Sequence, residues 1–284
     1  MSGPRNLEKH LMAGGAPYSV APLSAVERSE WRATVGAYRA AVGFADRPAP
    51  LLTPPTANPK LGKSGSWGLS LLPAMESERW NTCNASTREC RRLCLNTAGR
   101  GQFSDVQRAR LWRVNLLADH PGRFCRALGD EVRRLPHGTP VRLNVLSDIA
   151  WERVIPDLFD EPYGFYDYSK RTDRGPIPPS YHLTMSATEH TDDGELAPLA
   201  AMYGSSVAVV FSTRKGDALP TTWGGLSVVD GDEYDDRRRD PVGVVVGLRA
   251  KGRAIGTVGF VRDVCPSAAP VCRPRDLTRA VDGV

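Results

Sequence analysis

The chain has 284 residues, 41% of them hydrophobic and 24% charged. That is the balance of a soluble globular protein long enough to bury one large core. No stretch of about eighteen apolar residues is present, and the N-terminal MSGPRNLEKHLMAGG has no apolar leader. Neither a membrane-spanning helix nor a secretory signal is therefore expected, and the chain reads as cytoplasmic.

In chain order, residues 1–23 show no usable periodicity and read as a loose arm. Ser24 to Val42 reads as a helix, with Ser24 and Glu27 spaced as a capping box. Asp46 to Pro59 carries five prolines and must be extended, as a linker or strap. Trp67 to Leu72 is a short strand, and a cysteine-bearing loop follows it. Ser104 to Asp119 is a helix with a second capping box, Ser104 and Gln107, and Gly122 to Leu135 is another helix entered through Pro121. Short apolar strands then come at 141–146, 163–168, 181–186, 207–211, 226–229 and 242–248, with helices at 149–159 and 195–203. Strands alternating with helices predict an α/β fold with a mainly parallel sheet, here a partial (β/α) barrel with an N-terminal helical arm. The division expected is an arm, helix and linker over 1–57, the α/β domain over 58–264, and a C-terminal tail over 265–284.

Most of these strands run into polar residues: Ser147-Asp148, Ser169-Lys170-Arg171, Ser186 to Glu189, Ser212 to Lys215, and Asp230 to Glu233. Parallel strands place their carboxyl ends on one edge, where α/β proteins build their sites. Asp148, Lys170, Glu189 and Lys215 are thus candidate catalytic residues, and Ser147, Ser169 and Ser186 candidate cofactor contacts. Strand ends are polar for ordinary turn reasons as well, but several basic groups on one edge suit an anionic ligand. The run DGDEYDDRRRD, residues 230–240, opens like a calcium loop with Asp230 and Asp232 but lacks the glycine and closing glutamate at that spacing, so a solvated charged turn is expected. Leu61-Gly62-Lys63-Ser64 has Ala57 where a phosphate loop needs glycine and is set aside.

Three of the six cysteines, Cys83, Cys90 and Cys94, fall in a C-x6-C-x3-C loop. In a cytoplasmic chain such crowding points to metal or redox chemistry before disulfides. Three thiolates with one open position suit a 4Fe–4S cluster; zinc is the alternative, with a fourth ligand from Cys265 or Cys272. Cys125 lies in an apolar helix phase and belongs to the core. From Arg79 to Arg134 twelve arginines face five acids, although the whole chain carries only +5. Such a basic field suits a nucleotide or nucleic acid. Only six of the 37 basic residues are lysines, which is also what a GC-rich genome would give with no such partner.

The order of NPKLGKS, WGLSLLPA, three cysteines ending at Cys94, a helix with Asn115, a strand into Ser147-Asp148 and an aromatic strand into Tyr168-Ser169-Lys170 resembles phage proteins of the gene product 88 type, similar in turn to radical-SAM barrels. The resemblance covers residues 58 to 215. It implies a phage origin, hence a host-cytoplasmic protein, a partial barrel, and a cluster on Cys83, Cys90 and Cys94. It implies a radical-SAM-like enzyme using S-adenosylmethionine to modify a nucleotide or nucleic acid. Radical-SAM enzymes space their cysteines C-x3-C-x2-C with an aromatic before the last; here the spacing differs and Leu93 stands there. Cluster binding is therefore better supported than S-adenosylmethionine chemistry. The competing class is a non-enzymatic DNA-binding or replication-associated protein with structural zinc.

Overall fold

The structure, a computed structural model, describes residues 4–74 and 76–264. The arm is ordered into the body. Strand β1 (Arg5–Asn6) leads into helix α1 (Leu7–Leu11), and Leu7 and Leu11, four apart on one face, are both fully buried. They share one apolar cluster with Trp31 and Val35 of α2 (Ala25–Ala40), so this segment is not the loose arm its sequence suggests. Ser24 and Glu27 form the expected capping box at the start of α2.

The proline-rich segment is a strap, not a free linker. Leu52–Thr53 forms β2, and the backbone N–H groups of Leu51 and Leu52 donate to the two oxygens of Glu131 at 2.8 and 2.9 Å. Arg113 donates to the Leu51 carbonyl from the other side. Next come α3 (Pro59–Gly62), β3 (Trp67–Leu69) and β4 (Trp80–Asn81), which pairs in parallel with β1. Helix α4 (Arg88–Arg92) carries the middle cysteine.

Helices α5 (Ser104–Asp119) and α6 (Pro121–Arg133) follow, the second with Pro121 in its first turn. The second expected capping box is not made. Phe103 is the N-cap of α5, and Gln107 turns its amide to the carbonyls of Asn96 and Gly101, bracing the cysteine segment. The strands β5 (Pro140–Arg142), β6 (Gly164–Ser169), β7 (Tyr181–Ser186) and β8 (Val207–Phe211) come next, with α7 (Trp151–Val154) and α8 (Leu196–Ala201) between them. The helix expected over 149–159 is interrupted because Pro156 cannot continue it, and a short 3-10 turn follows. Last are β9 (Thr222–Trp223), β10 (Leu226–Asp230), β11 (Val245–Arg249) and β12 (Val261–Arg262).

The sheet runs β2-β3-β5-β6-β7-β8-β11-β10-β9. Every pair from β3 to β10 is parallel, and the two margins are antiparallel. Among the described residues no pairing joins β2 to β9, so the sheet is open, no closed barrel forms, and the expected partial barrel is not confirmed. Its margins meet through side chains instead: Lys63 Nζ donates to the Asp232 carbonyl at 3.0 Å, and Lys60 pairs with Asp235 at 3.3 Å.

Strand alternation separates the two faces. Phe165, Tyr181 and Leu183 join the cluster that contains α5 and α6, while Tyr166 faces the other way. There the connection from β10 to β11 crosses the sheet. Asp235 accepts from Tyr166 at 2.9 Å and from Arg142 at 3.0 Å, and Asp235 and Arg237 are fully buried. The run 230–240 is thus not a solvated turn. Asp230 and Asp232 both pair with Arg249, and Asp232 also takes Lys251, so their charge is already balanced by cations of the chain.

Candidate functional site

Where β3 and β5 end, their exit loops are stitched together by the first cysteine. Cys83 Sγ donates to the Leu146 carbonyl at 3.1 Å and accepts from the Ala74 N–H at 3.3 Å. The Asp148 N–H donates to the Thr82 carbonyl at 2.9 Å. Cys90 lies on α4, whose N-cap Thr87 accepts from the Cys90 N–H. Cys94 follows that helix. Burial pushes the Cys83 thiol up to about 12 against the Ala74 and Thr82 bonds, and burial raises Cys94 as well.

Lys170, at the end of β6, is the charged centre of this region. Burial opposes its charge, but Cys90, Asp148, Cys83 and Cys94 together outweigh it and hold its pKa above the ordinary lysine value. Asp148 lies beneath it, accepting from the Ser169 hydroxyl at 2.8 Å and the Lys170 N–H at 3.0 Å, with Arg174 at 3.5 Å. Burial raises the Asp148 pKa although Arg174 pulls it down. Glu189, beyond the end of β7, accepts from the Thr87 hydroxyl at 2.7 Å and the Glu89 N–H at 3.1 Å. It therefore clamps the start of α4, and so the frame of Cys90, to the sheet edge.

Cys83, Cys90, Cys94, Asp148, Ser169 and Lys170 are thus brought together, with Glu189 bridging from β7. Ser147 is adjacent, but its hydroxyl is spent on Asn144 at 2.8 Å, as that of Ser169 is on Asp148. Ser186 ends β7 half-buried and makes no side-chain bond to this group; Lys215 is exposed on the loop after β8 and is not joined to it. Cys265 and Cys272 lie outside the described residues. Cys125 is buried in the core, as its helix phase suggests.

A cleft of about 570 Å³ opens beside the thiols, between α1, the loop at Asn84 and the chain leaving β6 at Lys170. The N-terminal segment forms one wall, which the strand-end reading could not anticipate. That reading also missed a buried polar layer under the site. Asp167 accepts from the Asn144 N–H at 2.7 Å and the Tyr181 hydroxyl at 2.8 Å, and Arg174 pairs with Glu152 nearby. The available signal was an aspartate in strand GFYDYS at the same alternation as Phe165.

Burial pushes Asp167 up to about 7, against the pull of Arg142, Tyr181 and the Asn144 amide. An unfolded aspartate ionises near pH 4. Between about 4 and 7 the unfolded chain has lost a proton that the folded chain keeps, so this group's contribution to stability falls as pH rises. The melting temperature of the wild type minus that of Asp167→Asn is expected to decrease across that window. A constant difference would mean that Asp167 is ionised throughout.

The basic segment is largely committed to the chain itself. Arg79, Arg92, Arg108, Arg123, Arg126 and Arg133 pair with carboxylates, and Arg113 is buried against backbone carbonyls. Arg88 and Arg100 have no ion pair among the described residues. No helix among them is long and apolar enough to cross a membrane.

Fold and site together define an open, mostly parallel α/β protein with a thiol- and lysine-bearing site at the carboxyl edge of its sheet. The family model described as Gene product 88 matches residues 48–264, and the chain belongs to that family of phage gene products. The match extends the resemblance in both directions beyond 58–215. No curated protein and no solved structure matches the chain.

Proposed function

We propose that this phage-associated protein is a metalloprotein in which Cys83, Cys90 and Cys94 hold an iron–sulfur cluster, in a radical-SAM-like role on a nucleotide or nucleic acid. The observation that carries the reading is that the chain leaving β3 brings Cys83 onto the exit loop of β5, with Cys90 and Cys94 on and just after the short helix that follows. Soft thiolates suit such a cluster. Burial opposes the thiolate form of Cys83, while the Ala74 N–H aimed at its sulfur favours it and the Lys170 ammonium would offset thiolate charge. Among the described residues no three His, Cys, Asp or Glu side chains already converge in ligating geometry. A ligating thiolate has no proton to donate, so holding the group would require Cys83 to release the Leu146 carbonyl and the three thiols to move together.

Held by Cys83, Cys90 and Cys94, such a cluster would supply one-electron chemistry at the carboxyl edge of the sheet. The chain's own residues set the frame: Asp148 holds the Lys170 backbone, Glu189 fixes α4, and Lys170 presents positive charge to a carboxylate or phosphate. Anaerobic reconstitution should give a brown protein with iron and sulfide bound, and each of Cys83→Ala, Cys90→Ala and Cys94→Ala should lose most of the metal. A colourless protein with one zinc per chain would replace the cluster by a structural zinc site. Metal content unchanged in all three variants would end the proposal.

A further inference from the structure

We infer that the cleft between α1 and the end of β6 binds the phosphate of a free mononucleotide, with Lys9, Arg153 and Lys170 supplying the charge. This deepens the proposed function by naming the substrate class, and its test does not need the metal.

The cleft's size falls within the range of small-molecule sites, about 300–1,000 Å³, at about 570 Å³. Its two acids are both engaged from within. Arg171 bonds both Glu8 and Asp173, so one guanidinium stands against two carboxylates. Lys9, Arg153 and Lys170 line the same space. Lys9 has no ion pair among the described residues, and the Arg153 guanidinium bonds the Asp173 carbonyl and also acts on the Asp173 carboxylate. The lining thus carries four cations against two anions, an excess suited to a phosphate with its charge near −2.

A second observation narrows the ligand. Asn84 lines the cleft, and its Oδ1 is buried with no hydrogen-bond donor among the described residues. A buried acceptor left unpaired is costly, and the residue that carries it is part of the lining, so an occupant with donors is favoured over one without. Inorganic phosphate is mainly an acceptor, whereas a nucleotide carries hydroxyl and amino donors as well. A long nucleic acid is disfavoured by the fate of the arginines. A polymer is held by a track of free cations, and here most of the arginines between Arg79 and Arg134 are paired or buried.

The test is calorimetric titration of the full chain with AMP and ATP, with inorganic phosphate and a single-stranded DNA 20-mer as the other arms. The wild type should bind a mononucleotide saturably and more tightly than inorganic phosphate. Lys9→Ala with Arg153→Ala should weaken that binding about tenfold or more, the scale of one charged hydrogen bond. Lys9→Ala alone, at an exposed position, should show part of the loss without any folding defect. Absence of saturable binding, binding indifferent to both Lys9 variants, or binding of DNA without competition by the mononucleotide would overturn the inference. Nucleotide binding without metal would leave the cleft standing and end the cluster reading. Metal without nucleotide binding would do the reverse.

Discussion

Arg174→Met should destabilise the protein by about 3–5 kcal/mol, the usual cost of removing one partner from a buried ion pair. The Arg174 side chain is completely buried, and Glu152 is 3% exposed. Arg174 Nε donates to Glu152 at 3.0 Å, Nη2 to the Tyr181 hydroxyl at 3.1 Å, and Nη1 stands 3.5 Å from Asp148. Methionine fills much of the volume but strands Glu152 and withdraws the strongest influence that favours the ionised form of Asp148 against its burial. Urea unfolding with the slope unchanged would measure the loss. The double variant Arg174→Met with Glu152→Leu should recover much of it, because no carboxylate is then left uncompensated at 152. A single-variant loss below about 1 kcal/mol, the scale of solvated pairs, would show that water reaches this layer.

Asp235→Ala is the second large effect, of about 3 kcal/mol or more by the same reasoning. Asp235 is fully buried and is the shared partner of Arg142, Lys60 and Tyr166. Although burial opposes ionisation, Arg142 and Lys60 outweigh it and hold the Asp235 carboxyl well below the usual aspartate range. A depressed folded pKa means stability that is fully present above about pH 4, where the unfolded group ionises, and lost as pH falls below it. That is opposite in sign to Asp167. Asp235→Asn, which keeps an acceptor for Tyr166, should flatten the acid limb of stability against pH. An unchanged acid limb would mean that another group carries it.

The sequence makes the strands legible where side chains alternate or form short apolar runs. Tyr181 to Ser186 and Val207 to Phe211 are read to the residue, and the order of polar strand ends brings Asp148, Lys170 and Glu189 to one edge. What stays hidden depends on partners distant in the chain. Charges in DGDEYDDRRRD look solvated until Arg142 and Lys60 are placed against Asp235. Helix α1 has five residues, too few to display a period, yet it docks through Leu7 and Leu11. Glu189 is found by position, but its engagement with Thr87 and the Glu89 amide follows only from the fold. The arginines between Arg79 and Arg134 read as an open basic field partly because two of them, Arg123 and Arg126, take their acids, Glu30 and Glu27, from α2.

The placing of β11 between β8 and β10 has a consequence for how the chain is made. From β3 through β8, each parallel strand can be laid down beside its predecessor as it leaves the ribosome. That order then breaks: β10 is synthesised before the strand that separates it from β8. The edge of Val207 to Phe211 must wait unpaired until residues 245–249 arrive. An apolar edge held open in this way is a template for pairing with a neighbouring nascent chain. The vulnerable interval in the life of this protein is therefore set by the distance from β8 to β11, and a chain truncated within it would be released with that edge exposed.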